Sequence, residues 1–145
     1  RALARHGGAE VDADLVAAGT WLHDIGLLVR DPEEPRYLRR GLLFCEPYMD
    51  AWGLTGSARQ DLRDILLYNH ALRAPASITP TAELLRRAVQ VEHSNGYIRN
   101  GLPRQEIRQI FKAHPRGNFN KVLADFTRIT LFKDGVGTLL PTFFP

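Results

Sequence analysis

Residues 12–26 read DADLVAAGTWLHDIG, and this stretch decides how the rest of the chain is read. Leu15, Ala18, Leu22 and Ile25 recur at three- and four-residue spacing, the period of one helix face. Asp12 precedes them with a carboxylate able to accept from free backbone N–H groups, and Gly26 supplies a stop. The spacing predicts a helix opened by Asp12 and closing at or soon after Gly26. At its end two polar side chains, His23 and Asp24, stand together on an otherwise apolar segment. Burying an imidazole and a carboxylate is costly unless something cationic or hydrogen-bonding receives them. A divalent metal ion can do so: these donors suit zinc, manganese, iron or nickel, and such an ion activates water or polarises a phosphoryl oxygen. A helix-capping pair or a core histidine would use the same two residues, so the dipeptide alone leaves these roles open.

Moving outward, helical spacing continues and no segment alternates polar and apolar residues as a half-buried strand would. The fold class expected is all-α. The loop Asp31-Pro32-Glu33-Glu34-Pro35 turns the chain into a helix from Tyr37 to Trp52, with Leu38, Leu42 and Cys45 inward and Pro47 kinking or splitting it. Ser57-Ala58-Arg59-Gln60 has the pattern of a capping box for a helix reaching His70, with Leu62, Ile65, Leu66 and Asn69 on or beside its inner face. Thr79-Pro80 opens a helix toward Tyr97, carrying Leu84, Leu85, Ala88 and Val91 inward. Pro103 starts a short helix through Ala113. Phe119 to Leu131 forms the last, with Val122, Leu123, Phe126 and Ile129 buried, and the apolar tail 138–145 is read as irregular, packed on the body or on a partner.

At 145 residues the chain is one domain's worth of sequence. Hydrophobic residues are 44% and charged residues 24%, near the globular average, which excludes a disordered segment, and no apolar run is long enough for a membrane span. One cysteine, Cys45, excludes a disulfide framework or a thiolate zinc site and fits a reducing, cytoplasmic setting. A net charge of +3 with scattered arginines is too mild to mark a nucleic-acid reader without an accompanying motif. The start Arg1-Ala2-Leu3-Ala4-Arg5 reads as the middle of a helix, so the domain 1–145 is expected to be truncated at its N-terminus.

Trp21-Leu22-His23-Asp24-Ile25-Gly26 resembles the LLHDIG hallmark of the HD-domain superfamily, an all-helical family of metal-dependent phosphohydrolases. The resemblance extends to the order of elements: a helix ending in His-Asp, a polar loop, a helix ending in a histidine at His70, then a helix followed by Gly101-Leu102-Pro103-Arg104. It implies an HD-domain-like bundle of five or more helices. It also implies that His23 and Asp24 are metal ligands, Asp24 further orienting the nucleophile, and that His70 contacts a second metal or the substrate phosphate. A helix C-terminus favours imidazolium as well, so His70 has a capping role open to it. His93, beside Glu92, is a further candidate for a dinuclear site.

Two ligands that the family pattern calls for depart here. Across an antiparallel turn at Gly7-Gly8, His23 lies roughly 20 Å along its helix from the turn; His6, beside the turn, is expected not to be a ligand. The late aspartate of the pattern falls on Val89, which cannot ligate, and Glu92, three residues on, is the candidate substitute. Asp125 is a remoter one. Arg39 and Arg40 are candidate clamps for a substrate phosphate, because guanidinium matches its oxygens bidentately.

Taken together these features imply a phosphohydrolase using a divalent ion (Mn, Zn, Fe, Ni or Mg) on a nucleotide or other small phosphorylated metabolite. The alternatives are an HD-fold binding or interaction module that has lost its metal and its catalysis, and an HD-type diiron oxygenase.

Overall fold

The computed structural model describes residues 2–7, 11–133 and 135–144, and among them all regular structure is helical. Eight α-helices follow one another: α1 (Ala2–Gly7), α2 (Ala13–Leu22), α3 (Tyr37–Cys45), α4 (Gly56–Tyr68), α5 (Pro80–His93), α6 (Arg104–Ala113), α7 (Phe119–Lys133) and α8 (Val136–Phe143). No described helix is long and apolar enough to cross a membrane.

The cap foreseen at Asp12 forms. Its Oδ1 accepts from the N–H groups of Asp14 at 2.9 Å and Leu15 at 3.0 Å, satisfying two of the donors a helix start leaves free. From there α2 lays Leu15 and Gly19 into the core, while Ala18 is exposed. Leu15, Cys45, Met49, Leu62 and Leu66 form the main buried cluster, which joins α2, α3 and α4; burial of each leucine contributes about 1.5–3 kcal/mol. On the other face of α4, Ile65 meets Ala82 and Leu85 of α5. A second cluster of Leu3, Val91, Leu102 and Ile107 ties α1, α5 and α6.

Several boundaries differ from the sequence expectation. The helix expected over Tyr37–Trp52 is split at Pro47, α3 ending at Cys45 and a single 3-10 turn following at Glu46–Tyr48. Ser57 forms no capping box: α4 begins one residue earlier, at Gly56, after Thr55. Instead of reaching Tyr97, α5 stops at His93, because Asn95 and Gly96 adopt positive φ and the Gly96 N–H turns back to the Val91 carbonyl at 2.8 Å. Its start is held from a neighbouring helix, where Asp64 of α4 accepts from the Thr79 N–H at 2.9 Å. Of the α7 residues expected inward, Val122 and Ile129 are exposed. The tail is not irregular but forms α8, with Pro141 inside it; it packs on α7, and the Phe143 carbonyl accepts from the Leu72 N–H at 3.0 Å.

Gly26 fixes the turn that follows His23-Asp24. A Cβ there would lie 1.8 Å from the Tyr37 carbonyl oxygen and 2.7 Å from the Gly41 nitrogen, so the turn rests directly on the backbone of α3. Gly41 reciprocates: a Cβ on it would stand 3.2 Å from the Gly26 nitrogen.

Candidate functional site

The chain leaves α2 at His23, and Asp24 departs from helical dihedrals with φ −110° and ψ 13°. Consecutive side chains on a helix diverge; the break at Asp24 lets these two converge, with His23 Nε2 3.1 Å from Asp24 Oδ2. The end of α4 brings a third group from 46 residues away: His70 Nε2 lies 3.1 Å from Asp24 Oδ1. Asn69, fully buried beside it, donates through Nδ2 to the Ile65 carbonyl at 2.9 Å and reaches the His23 carbonyl at 3.4 Å. The two ends of the site are thus joined through the backbone as well as through side chains.

The electrostatics follow from this geometry. Burial pushes the Asp24 carboxyl up, but hydrogen bonds and charge from His23 and His70 outweigh it and hold Asp24 well below the ordinary carboxylate range. For His23 burial works against the charged form, and the Asp24 carboxylate with the Thr20 carbonyl more than compensates, raising its pKa. Tyr37, at the start of α3, is pushed well above its usual range by burial and then by the negative Asp24. Its ring centre is 6.4 Å from that of His70.

His23, Asp24 and His70 each offer a donor atom, and these atoms all lie within 4.8 Å of one another, so the three could hold a metal ion. Two donors each about 2.1 Å from an ion and at right angles stand about 3 Å apart, close to the observed His–Asp separations. His23 Nδ1 lies 2.8 Å from the Thr20 carbonyl, which requires that nitrogen to carry a proton and makes Nε2, on the Asp24 side, the nitrogen an ion would displace a proton from. That arrangement, the far nitrogen tied to a carbonyl, is the support a ligating histidine uses. Two imidazoles and a carboxylate suit the borderline divalent ions and leave coordination positions for water and substrate.

His93 extends the cluster: its ring centre is 5.0 Å from that of His70, and its Nδ1 is tied to the Val89 carbonyl at 3.1 Å. Burial, then the neighbouring His70, lower its pKa. Val89 thus bears on the cluster only through its carbonyl, which orients His93.

Glu92 is not brought to the cluster. Arg116 holds its Oε1 at 2.8 Å and also donates to its backbone carbonyl, while Oε2 is 3.3 Å from His93 Nδ1. Asp125 pairs with Lys121 at 2.6 Å on α7. Arg39 and Arg40 are likewise occupied: Arg39 pairs with Glu34 at 3.1 Å, and Arg40 donates to the carbonyls of Gly26, Glu34 and Pro35 at 3.2, 3.0 and 2.9 Å. Arg40 thereby braces the turn behind His23-Asp24. The expectation for His6 concerns a side chain outside the described residues.

The cluster opens into a cavity of about 270 Å³ whose far walls come from α7 and α8. Phe119 meets the His93 ring edge-on at 5.2 Å, and Phe126 meets Tyr37 edge-on at 6.5 Å. Tyr37 had no signal in the sequence, because it resembles any apolar residue at a helix start. No family model, no curated protein and no solved structure matches the chain.

Proposed function

We propose that the chain is a metal-dependent phosphohydrolase of the HD-domain type, acting on a small phosphate ester. The observation that carries this reading is the convergence of His23, Asp24 and His70 at the mouth of one cavity. A divalent ion held there would lower the pKa of water and neutralise phosphoryl oxygens. The side chains would divide the remaining work. His23, Asp24 and His70 would hold the ion through imidazole nitrogen and carboxylate oxygen, and Asp24, kept ionised by the two histidines, would orient the attacking water. His93, whose pKa burial lowers, lines the cavity beside His70 and would meet the substrate as a neutral imidazole.

A second reading, a binding module without catalysis, is supported by the engagement of Glu92 with Arg116, which leaves the cluster with no further carboxylate among the described residues. Elemental analysis separates the two. Protein loaded with manganese or iron should retain about one ion per chain and release phosphate from simple esters, and His70→Gln should lose both. Glu92→Gln should keep its metal. A wild-type chain that retains no ion, or a His70→Gln variant that retains it fully, would overturn the hydrolase reading. Two irons per chain would point to an oxygenase instead.

A further inference from the structure

We infer that the organic group of the substrate is uncharged and apolar, about the size of one aromatic ring, so that this site takes aryl or short alkyl monoesters in preference to nucleotides. The inference rests on the hydrolase reading above and deepens it.

The cavity is lined mostly by hydrocarbon. His23, Asp24, His70 and His93 supply its titratable groups, and Leu27, Val122, Leu123, Phe126 and Phe143 its apolar ones. A nucleoside base carries a hydrogen-bonding edge, and a site that takes it must pair that edge or leave it unsatisfied at a cost. Among the described residues lining the cavity there is no Asn, Gln or Glu to pair with a base, and only the hydroxyls of Tyr37, Thr127 and Thr142 remain.

Charge leads to the same class. No described Lys or Arg lines the cavity, so a single phosphoryl group could be compensated by the ion, whereas a di- or triphosphate would enter with uncompensated charge. The arginines close in sequence or space are already engaged: Arg39 with Glu34, Arg40 with three carbonyls, and Arg116 with Glu92, its guanidinium carbon 5.0 Å from the centre of the Phe119 ring. Size agrees as well. An apolar cavity of roughly 150 Å³ accepts benzene, so about 270 Å³ holds one ring and a tetrahedral head group.

Calorimetric titration with phenylphosphonate, methylphosphonate and the phosphonate analogue of AMP tests this, on protein with and without manganese. Phenylphosphonate should bind about 10- to 100-fold more tightly than methylphosphonate, and the AMP analogue no more tightly than methylphosphonate. Phe126→Ala should narrow the phenyl-to-methyl ratio; should that variant fail to fold, the wild-type ratio decides. Equal affinities for the phenyl and methyl compounds, tighter binding of the AMP analogue, or no binding of phenylphosphonate would overturn the inference. A phenyl preference in protein that neither retains metal nor hydrolyses any ester would uphold the apolar chamber and sink the hydrolase reading. Hydrolysis with stoichiometric metal but no phenyl preference would do the reverse.

Discussion

His70 Nε2 and Asp24 Oδ1 stand 3.1 Å apart although 46 residues separate them, and the contact joins the end of α4 to the break after α2. Both residues also offer donor atoms within 4.8 Å of one from His23, which makes the pair both a tertiary link and two members of a three-residue donor set.

Metal should therefore stabilise the fold through this pair. An ion that binds only the folded chain adds about 2.7 kcal/mol when present at 100 times its dissociation constant. Thermal denaturation with and without manganese should show that rise in the wild-type protein and its reversal by chelator. His70→Ala and Asp24→Asn should each abolish it. A metal-induced rise that survives in both variants would place the ion elsewhere.

Gly26→Ala should unfold the region around His23-Asp24, because the added methyl would sit 1.8 Å from the Tyr37 carbonyl oxygen, and that neighbour is backbone. Overpacking of this kind costs about 1–3 kcal/mol where side chains can yield and more where they cannot. Gly137→Ala is the matched control: its Cβ meets nothing within 4 Å, and it lies inside α8, so it should gain up to about 1 kcal/mol of helix propensity. Urea denaturation of the two variants checks the contrast, and equal midpoints would show that the Gly26 contact is relieved at little cost.

The close approach at Gly26 also shows what the sequence could and could not convey. Helical period, the Asp12 cap and the apolar faces of α4 and α5 are local patterns, and they appear where the sequence places them. The partners of Arg39, Arg40 and Glu92 are different in kind: a guanidinium or carboxylate in a helix gives no local sign of which oppositely charged group will reach it. Glu34 and Arg116 intercept them from a loop and from a turn between helices. His70 was legible as a candidate through the order of elements, but its 3.1 Å approach to Asp24 depends on how α2 and α4 cross, with Gly19 against Ile65. The part of the cavity's lining that α8 supplies was not legible, because the apolar tail reads as irregular, yet an eight-residue helix forms there with Pro141 inside it.

A last prediction concerns Arg86, which is 6% exposed. It pairs with both oxygens of Glu83, at 2.6 and 2.8 Å, and donates to the carbonyls of Ala71 and Leu72 at 2.8 and 3.2 Å. These bonds fasten the segment just after His70 to α5, so they support the site from behind. Without Arg86, Glu83 keeps only Arg87, at 2.7 Å, and the Ala71 and Leu72 carbonyls lose a buried charged donor, so Arg86→Met should cost about 1.5–3 kcal/mol. Glu83 gives the interaction a pH signature. Burial raises its pKa, but Arg86 and Arg87 outweigh that and hold it below the ordinary value. A carboxyl with a depressed folded-state pKa contributes stability that is fully present above its unfolded value, near 4.5, and is lost as pH falls through the folded value. Wild-type stability should consequently drop on acidification below about pH 4.5, and Glu83→Gln should be less stable at neutral pH with a shallower acid limb. Urea midpoints measured from pH 3 to pH 7 on both proteins, each span about 4 units wide, decide it; parallel curves would remove Glu83 as a source of the acid sensitivity.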